Sequence, residues 1–355
     1  MKIGYSFWGF LGNGITDTPD GGRSHRRPLI DALHDRGHEI VFLQANRDLL
    51  EAGDNLGGAY TFDSGIPDID VLFLEWRWPI DGRNTTQCGT PGHTCDLHRQ
   101  AELIKRYSVA CGTPMVIWDK DRQLRPDSPW RRAPRVAICE AALEPTPGAY
   151  PLLFPVADRL LAQADPSVLA QQPREITLGY VGNQYVGNRQ DRDEHFDRYF
   201  SPAASCFDHQ VGGKWTDTSR WPHVSFLGRI PFEEAHRLYS GAIATVLLLP
   251  KRYAEVGQMT QRIFEAVLAG CLPLAPADIR QVERFVPEAL VVRSGSHVIH
   301  QLNRLRAIAG TRQHVDLIAD CLDRLSLFRL SRQVDALEAV LDTITGATSR
   351  QQGAA

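Results

Sequence analysis

The stretch Thr260-Gln-Arg-Ile-Phe-Glu-Ala-Val-Leu-Ala-Gly-Cys-Leu-Pro-Leu-Ala275 reads as a short helix, a glycine stop and a buried strand. Gly270 is a natural helix end, and Arg262 and Glu265, three apart, share one helix face. Thr260 is expected to cap the helix. The N-terminal N–H groups would then carry partial positive charge that suits a phosphate. A phosphate at the helix mouth, Arg262 beside it and Glu265 accepting from sugar hydroxyls describe a nucleotide-diphosphate site. An Arg–Glu pair on a solvated helix face would give the same spacing.

Outward from this stretch, strands and helices alternate. Residues 2–7 form a strand, followed by a glycine-rich run, a helix over 23–36 and a stop at Gly37. Apolar runs at 39–43, 70–74 and 114–118 read as buried parallel strands, with a helix over 97–110 and further strands at 136–139 and 152–154. A join with Pro155, Pro166 and Pro173 follows. A second series then begins with strands at 176–181, 208–211, 224–227, 244–249, 272–275 and 289–292. Helices are expected at 191–200, 231–240, 297–309, 315–325 and 332–343. The expected architecture is α/β: two Rossmann-like doubly wound domains facing a cleft. The boundaries are an N-terminal domain over 1–155, a linker over 156–174, a C-terminal domain over 175–328, a crossover helix over 329–345 and a flexible tail over 346–355.

Composition is that of a globular chain of 355 residues, with charged residues at 23% and aromatics at 8%. A net charge of -3 gives no overall basic field for nucleic acid. The longest apolar run, 242–249, is too short for a bilayer, so no transmembrane segment is expected. Seven cysteines, an odd number over a large chain, suit a reduced cytoplasmic protein.

With both halves in view, the chain resembles the GT-B glycosyltransferases, in particular retaining family 4 and the spore-maturation-protein-like group. The residues that carry the resemblance are Asp20-Gly-Gly-Arg-Ser-His through Arg36-Gly-His-Glu39 in the first half. In the second half they are Tyr180-Val-Gly-Asn183 with Asn188-Arg189, Phe226-Leu-Gly-Arg229 and Arg262-Ile-Phe-Glu265. It implies a glycosyltransferase that moves a sugar from a nucleotide-diphosphate sugar, its co-substrate, to an acceptor hydroxyl with retention, and that requires no metal or other cofactor. Glu265 matches the second glutamate of the family's Glu-x7-Glu motif; the first is replaced by Gly257. The implied donor residues are Gly182, Arg229, Thr260, Gln261, Arg262 and Glu265. Arg189 and Arg262 would stabilise the leaving diphosphate. Gly21, Gly22 and Arg23 would form a loop near the diphosphate or acceptor, the glycines admitting close backbone approach.

Asp119-Lys-Asp121 follows the 114–118 strand. Asp119 would stand where the GT-B fold often presents a histidine, positioning a hydroxyl or acting as base; Asp-x-Asp is equally the metal-diphosphate motif of the GT-A class. Glu75-Trp-Arg-Trp78 follows another strand, and Glu75, Trp76, Arg77 and Trp78 would make an acceptor wall. The arginines over 122–135 and this aromatic segment keep a modified DNA base among the acceptors, beside a small metabolite or a glycan. Cys88, His93, Cys95 and His98 have metal-ligand types, but not the spacing of a standard zinc finger or ribbon. A non-catalytic nucleotide-sugar binder and an epimerase of similar fold are the rival functions. The N-terminal glycines do not make G-x-G-x-x-G, which argues against a dinucleotide oxidoreductase.

Overall fold

The computed structural model describes residues 1–12, 22–184 and 191–346. Of the sequence-predicted site residues, Gly21 and Arg189 lie outside these, as does nearly all of the expected tail.

The chain divides into two compact units. Among the described residues, unit 1 holds 1–12, 26–153 and 330–346, and unit 2 holds 22–25 and 154–329. Unit 1 is built on seven strands: β1 Lys2–Ser6, β2 Glu39–Phe42, β3 Thr61–Phe62, β4 Val71–Glu75, β5 Met115–Asp119, β6 Val136–Glu140 and β7 Tyr150–Pro151. They lie in the order β3-β2-β1-β4-β5-β6-β7, every pairing parallel. Unit 2 repeats the plan with β8 Ile176–Val181, β9 His209–Gly212, β10 Phe226–Gly228, β11 Ala242–Val246, β12 Leu272–Pro276 and β13 Val291–Val292, ordered β10-β9-β8-β11-β12-β13.

In both sheets the strand order reverses beside the first strand, between β1 and β4 and between β8 and β11. That is where the carboxyl ends of an open parallel sheet receive ligands. The strands are buried along nearly their whole length because helices cover both faces. For that reason they read as continuous apolar runs rather than alternations.

The expected join over 156–174 is part of unit 2 rather than a linker. It forms helices Asp158–Gln163 and Pro166–Gln171. Arg174 then donates to four carbonyls, those of Ser240, Ala269, Leu169 and Gly270, at 2.6–3.0 Å. Two of these close helix Arg262–Leu268, whose terminal carbonyls favour a cation. Helix Leu330–Thr345 belongs to unit 1: Arg36 pairs with Asp335 and Glu338, and Gln333 accepts from the Leu153 N–H. The strand expected at 152–154 is displaced to Tyr150–Pro151, and the one expected at 244–249 ends at Val246. Among the described residues no helix is long and apolar enough to cross a membrane.

Candidate functional site

The carboxyl end of β8 delivers Val181 and Gly182 to the switch point of unit 2. Helix Arg262–Leu268 brings Arg262 to the same place: its Nε donates to the Val181 carbonyl at 2.6 Å, and its guanidinium lies 6.0 Å from the centre of the Tyr180 ring. Glu265, one turn on, is half-buried and accepts from the Ser24 hydroxyl. Burial pushes its carboxyl up from 4.5, against the Ser24 hydrogen bond and Arg262, which pull it down.

The helix runs Arg262–Leu268, so Thr260 is not its cap. Gln261 holds the cap position with helical backbone, and no side chain bonds the first turn. The Thr260 hydroxyl is instead buried without a hydrogen-bond partner among the described residues, as are those of Tyr180 and Tyr239. Tyr239 lies close enough to Arg262 and Glu265 to feel both charges. Three unmatched hydroxyls around one Arg–Glu pair are unusual in a protein interior and mark a polar site.

The floor beside them is bare backbone. At Gly213 (φ 133°) a Cβ would lie 2.1 Å from the Gly182 carbonyl oxygen, so β8 and β9 end with their main chains in close approach. Trp215 donates to the same Gly182 oxygen at 2.8 Å and holds the loop. Arg229 is exposed just after β10. Helix Gly22–Asp35 begins at Gly22, so Gly22 and Arg23 are helical rather than part of a loop, and buried Arg23 stacks over Phe232 at 5.5 Å.

In unit 1 the structure corrects two expectations. Asp119 is fully buried, and its two carboxylate oxygens accept from the Gln123 and Leu124 N–H groups, both at 2.8 Å. It closes a turn and is not exposed to act as a base on an acceptor. Burial raises its carboxyl to about 6, although the two N–H groups oppose the shift. A carboxyl with a raised folded pKa binds more protons folded than unfolded, so Asp119 contributes stability that grows as pH falls from about 6 toward 3.8. Chemical denaturation across that window should show the stability of the native chain relative to Asp119→Asn rising as pH falls.

Glu75 is likewise no acceptor ligand. It is 1% exposed and sits among Arg26 (Nε–Oε1 2.7 Å, Nη2–Oε2 2.8 Å), Lys120 (2.6 Å), the Tyr5 hydroxyl (2.8 Å) and Arg77 at 3.9 Å. Trp76 packs against the apolar core of unit 1, and the Trp78 carbonyl accepts from Asn84. Of the expected four-residue wall, Arg77 lines a cavity. In the basic run Arg122 and Arg131 pair with buried Glu140 and Arg125 pairs with exposed Asp127, while Arg132 and Arg135 are exposed.

The sequence reading missed that cavity. It encloses about 600 Å³ at the carboxyl ends of β1, β2 and β4, lined by Ser6, Trp8, Gln44, Arg47 and Arg77 among others. Trp8 is flanked by two guanidiniums, Arg47 at 3.7 Å and Arg83 at 4.5 Å from its ring centre. Arg26 donates to the Trp8 and Phe10 carbonyls, so the Glu75 network also sets the loop that carries Trp8. A second cavity of about 670 Å³, near Glu175 and Gly241, lies by the opposite, amino ends of β8 and β11.

Residues 191–321 match a family model described as glycosyl transferase-like. No curated protein matches the chain by sequence. Among solved structures, T4 phage BGT with UDP-glucose aligns at a TM-score of 0.63 and 14% identity, over 96% of this chain and all of that one. Another T4 phage BGT structure holds UDP and Mn2+. AviGT4, a glycosyltransferase of avilamycin A biosynthesis, aligns at 0.56 and 14% identity, over 97% and 98% of the two chains. Anabaena HepE with UDP-glucose aligns at 0.56 and 12% identity, over 97% and 100%. At these identities the likeness establishes the fold, two parallel-sheet α/β units of the GT-B type.

Proposed function

We propose that this chain, with the fold of the GT-B glycosyltransferases, transfers a sugar from a nucleotide-diphosphate sugar to an acceptor hydroxyl. The observation that carries the reading is the Arg262–Glu265 pair, whose arginine is held at the carboxyl end of β8. It lies within the glycosyl transferase-like segment and is surrounded by three buried hydroxyls without partners.

In this reading Glu265 accepts from the ribose hydroxyls of the donor. The Ser24 hydroxyl donates to Glu265, which supports its use as an acceptor for hydroxyls. Arg262, oriented by the Val181 carbonyl, sets its charge where the diphosphate lies, and stabilises the negative charge that builds up as the glycosidic bond breaks. Gly182 and Gly213 leave the backbone open to the nucleotide. Arg229 would add charge at the same end of the sheet.

The acceptor would bind unit 1. Trp8 between two guanidiniums, with Arg77 beside it, suits a planar ring or an anionic group near the receiving hydroxyl. T4 phage BGT is similar in fold, and β-glucosyltransferase is described in one structure as a DNA modifying enzyme, which supports keeping a modified DNA base beside small metabolites and glycans. Retention of the anomeric configuration, implied by the family resemblance, is part of the proposal and is tested by the anomer of the product.

The test is a thermal-shift panel of UDP-, GDP- and TDP-sugars, followed by donor hydrolysis and mass spectrometry of candidate acceptors. One nucleotide family should stabilise the chain and be turned over, and Glu265→Ala should lose that stabilisation. Full stabilisation of Glu265→Ala would remove Glu265 from the donor site, and binding without any turnover would make the chain a sensor.

A further inference from the structure

Cys88, His93 and Cys95 lie in the loop between β4 and helix Asp96–Leu103, and His98 lies in the first turn of that helix, outside the donor site. One ligand atom from each lies within 4.8 Å of all the others. A tetrahedral zinc with sulfur at ~2.3 Å and nitrogen at ~2.1 Å places its ligands roughly 3.4–3.8 Å apart, so closing on an ion needs shifts of about an ångström. We propose that these side chains form a structural Cys2His2 zinc site that fixes this loop of unit 1.

Three observations carry it. The first is the preparation of His93. Its Nδ1 lies 2.9 Å from the Thr86 hydroxyl, while its Nε2 is buried without a partner. A hydroxyl accepting from Nδ1–H leaves a bare lone pair on Nε2. This is how a metal-bound imidazole is usually held: one nitrogen on an outer hydrogen-bond partner and the other on the ion.

The second is that the thiols are available. All seven cysteines are free, and Cys95 stands at the cap position of helix Asp96–Leu103 without bonding its first turn. Cys88 Sγ meets His98 Nδ1 at 3.3 Å. The neighbouring carboxylate does not compete: Asp96 accepts from the Thr94 hydroxyl at 2.8 Å.

The third is the fold of the loop itself. Cys95 and His98, three apart at a helix start, present one face. Cys88 and His93 are carried to that face by a turn with Gly89 (φ 89°) and Gly92 (φ 79°), a conformation side chains resist. The loop is otherwise exposed and has little apolar burial to hold it. Two sulfurs and two imidazoles in tetrahedral reach select zinc over the hard cations. Because Cys95 and His98 also line the unit 1 cavity, the ion would stiffen one of its walls.

The test is made on the full chain, purified under reducing conditions and dialysed against metal-free buffer. Mass-spectrometric metal analysis should find one zinc per chain, falling below about a tenth of that in Cys88→Ser/Cys95→Ser. Cobalt added to the metal-free chain should give sulfur-to-metal charge transfer and the intense visible bands of tetrahedral cobalt. That readout does not depend on a variant folding. Thr86→Val should weaken zinc binding roughly 10- to 100-fold. The proposal is overturned by a native chain that holds no zinc and gives no cobalt bands, by zinc retained equally in the double serine variant, by unchanged affinity in Thr86→Val, or by a Cys88–Cys95 disulfide in the protein as isolated.

Discussion

Glu75→Gln should destabilise unit 1 by about 3–5 kcal/mol, measured as a shift in the denaturant midpoint of the transition that unfolds it. The side chain is fully buried and carries one negative charge against Arg26, Lys120 and, farther off, Arg77. An amide of the same shape keeps the packing but leaves buried cations without their counter-charge, and desolvation then works against the fold. Burial alone would raise the Glu75 carboxyl, but Arg26, Lys120 and Arg77 hold it well below the ordinary 4.5. A carboxylate with a depressed folded pKa contributes stability that is present above 4.5 and lost as pH falls below it. The stability advantage of the native chain over Glu75→Gln should therefore shrink as pH falls below 4.5. A variant as stable as the native chain would show that the cluster is neutral to stability. Through Arg26 the change should also disturb the loop of Trp8.

Arg262→Ala should lower kcat by about 10²–10³-fold while leaving the thermal midpoint of the ligand-free chain within a few degrees. The guanidinium is held at Val181, a position that costs little to vacate because the residue is half-exposed. Its charge matters most when negative charge gathers on the leaving diphosphate, so the loss should fall on kcat more than on KM. Arg262→Lys should recover only part of the rate. A lysine keeps the charge but cannot donate to the Val181 carbonyl from a planar fork. Unaltered turnover in Arg262→Ala would move the leaving-group role to another cation.

The fold was legible because buried parallel strands announce themselves as apolar runs between helices, as in 39–42, 71–75, 115–119 and 176–181. What escaped lacked that mark. Strand Thr61–Phe62 is two residues long, and Tyr150–Pro151 is an exposed edge containing a proline, while apolar Leu152, Leu153 and Phe154 beside it are buried outside the sheet. Leu247, Leu248 and Leu249 prolong an apolar run after the strand has ended, because burial and sheet pairing are separate conditions.

The site was legible only where its residues are neighbours in sequence. Arg262 and Glu265 are one turn apart, and Arg262 reaches the carboxyl end of β8. The fates of Glu75 and Asp119 depended on partners that local reading does not reveal. The cations around Glu75 come from positions 26, 77 and 120. The amides around Asp119 come from a turn whose closure is invisible in the letters. Trp8 became a site residue only when Arg47 and Arg83 closed on it from separate segments.

The last sixteen-residue helix, Leu330–Thr345, is packed into unit 1 by Arg36 and Gln333, although all of 154–329 intervenes. On the ribosome, unit 2 can finish from a nearly continuous stretch while unit 1 still waits for its closing piece. Unit 1 is therefore expected to close after unit 2, against the usual N-terminal-first order. Expression of the first half alone would yield an unfinished body, with the apolar ground meant for Val334, Leu337 and Leu341 left open to solvent or to a chaperone.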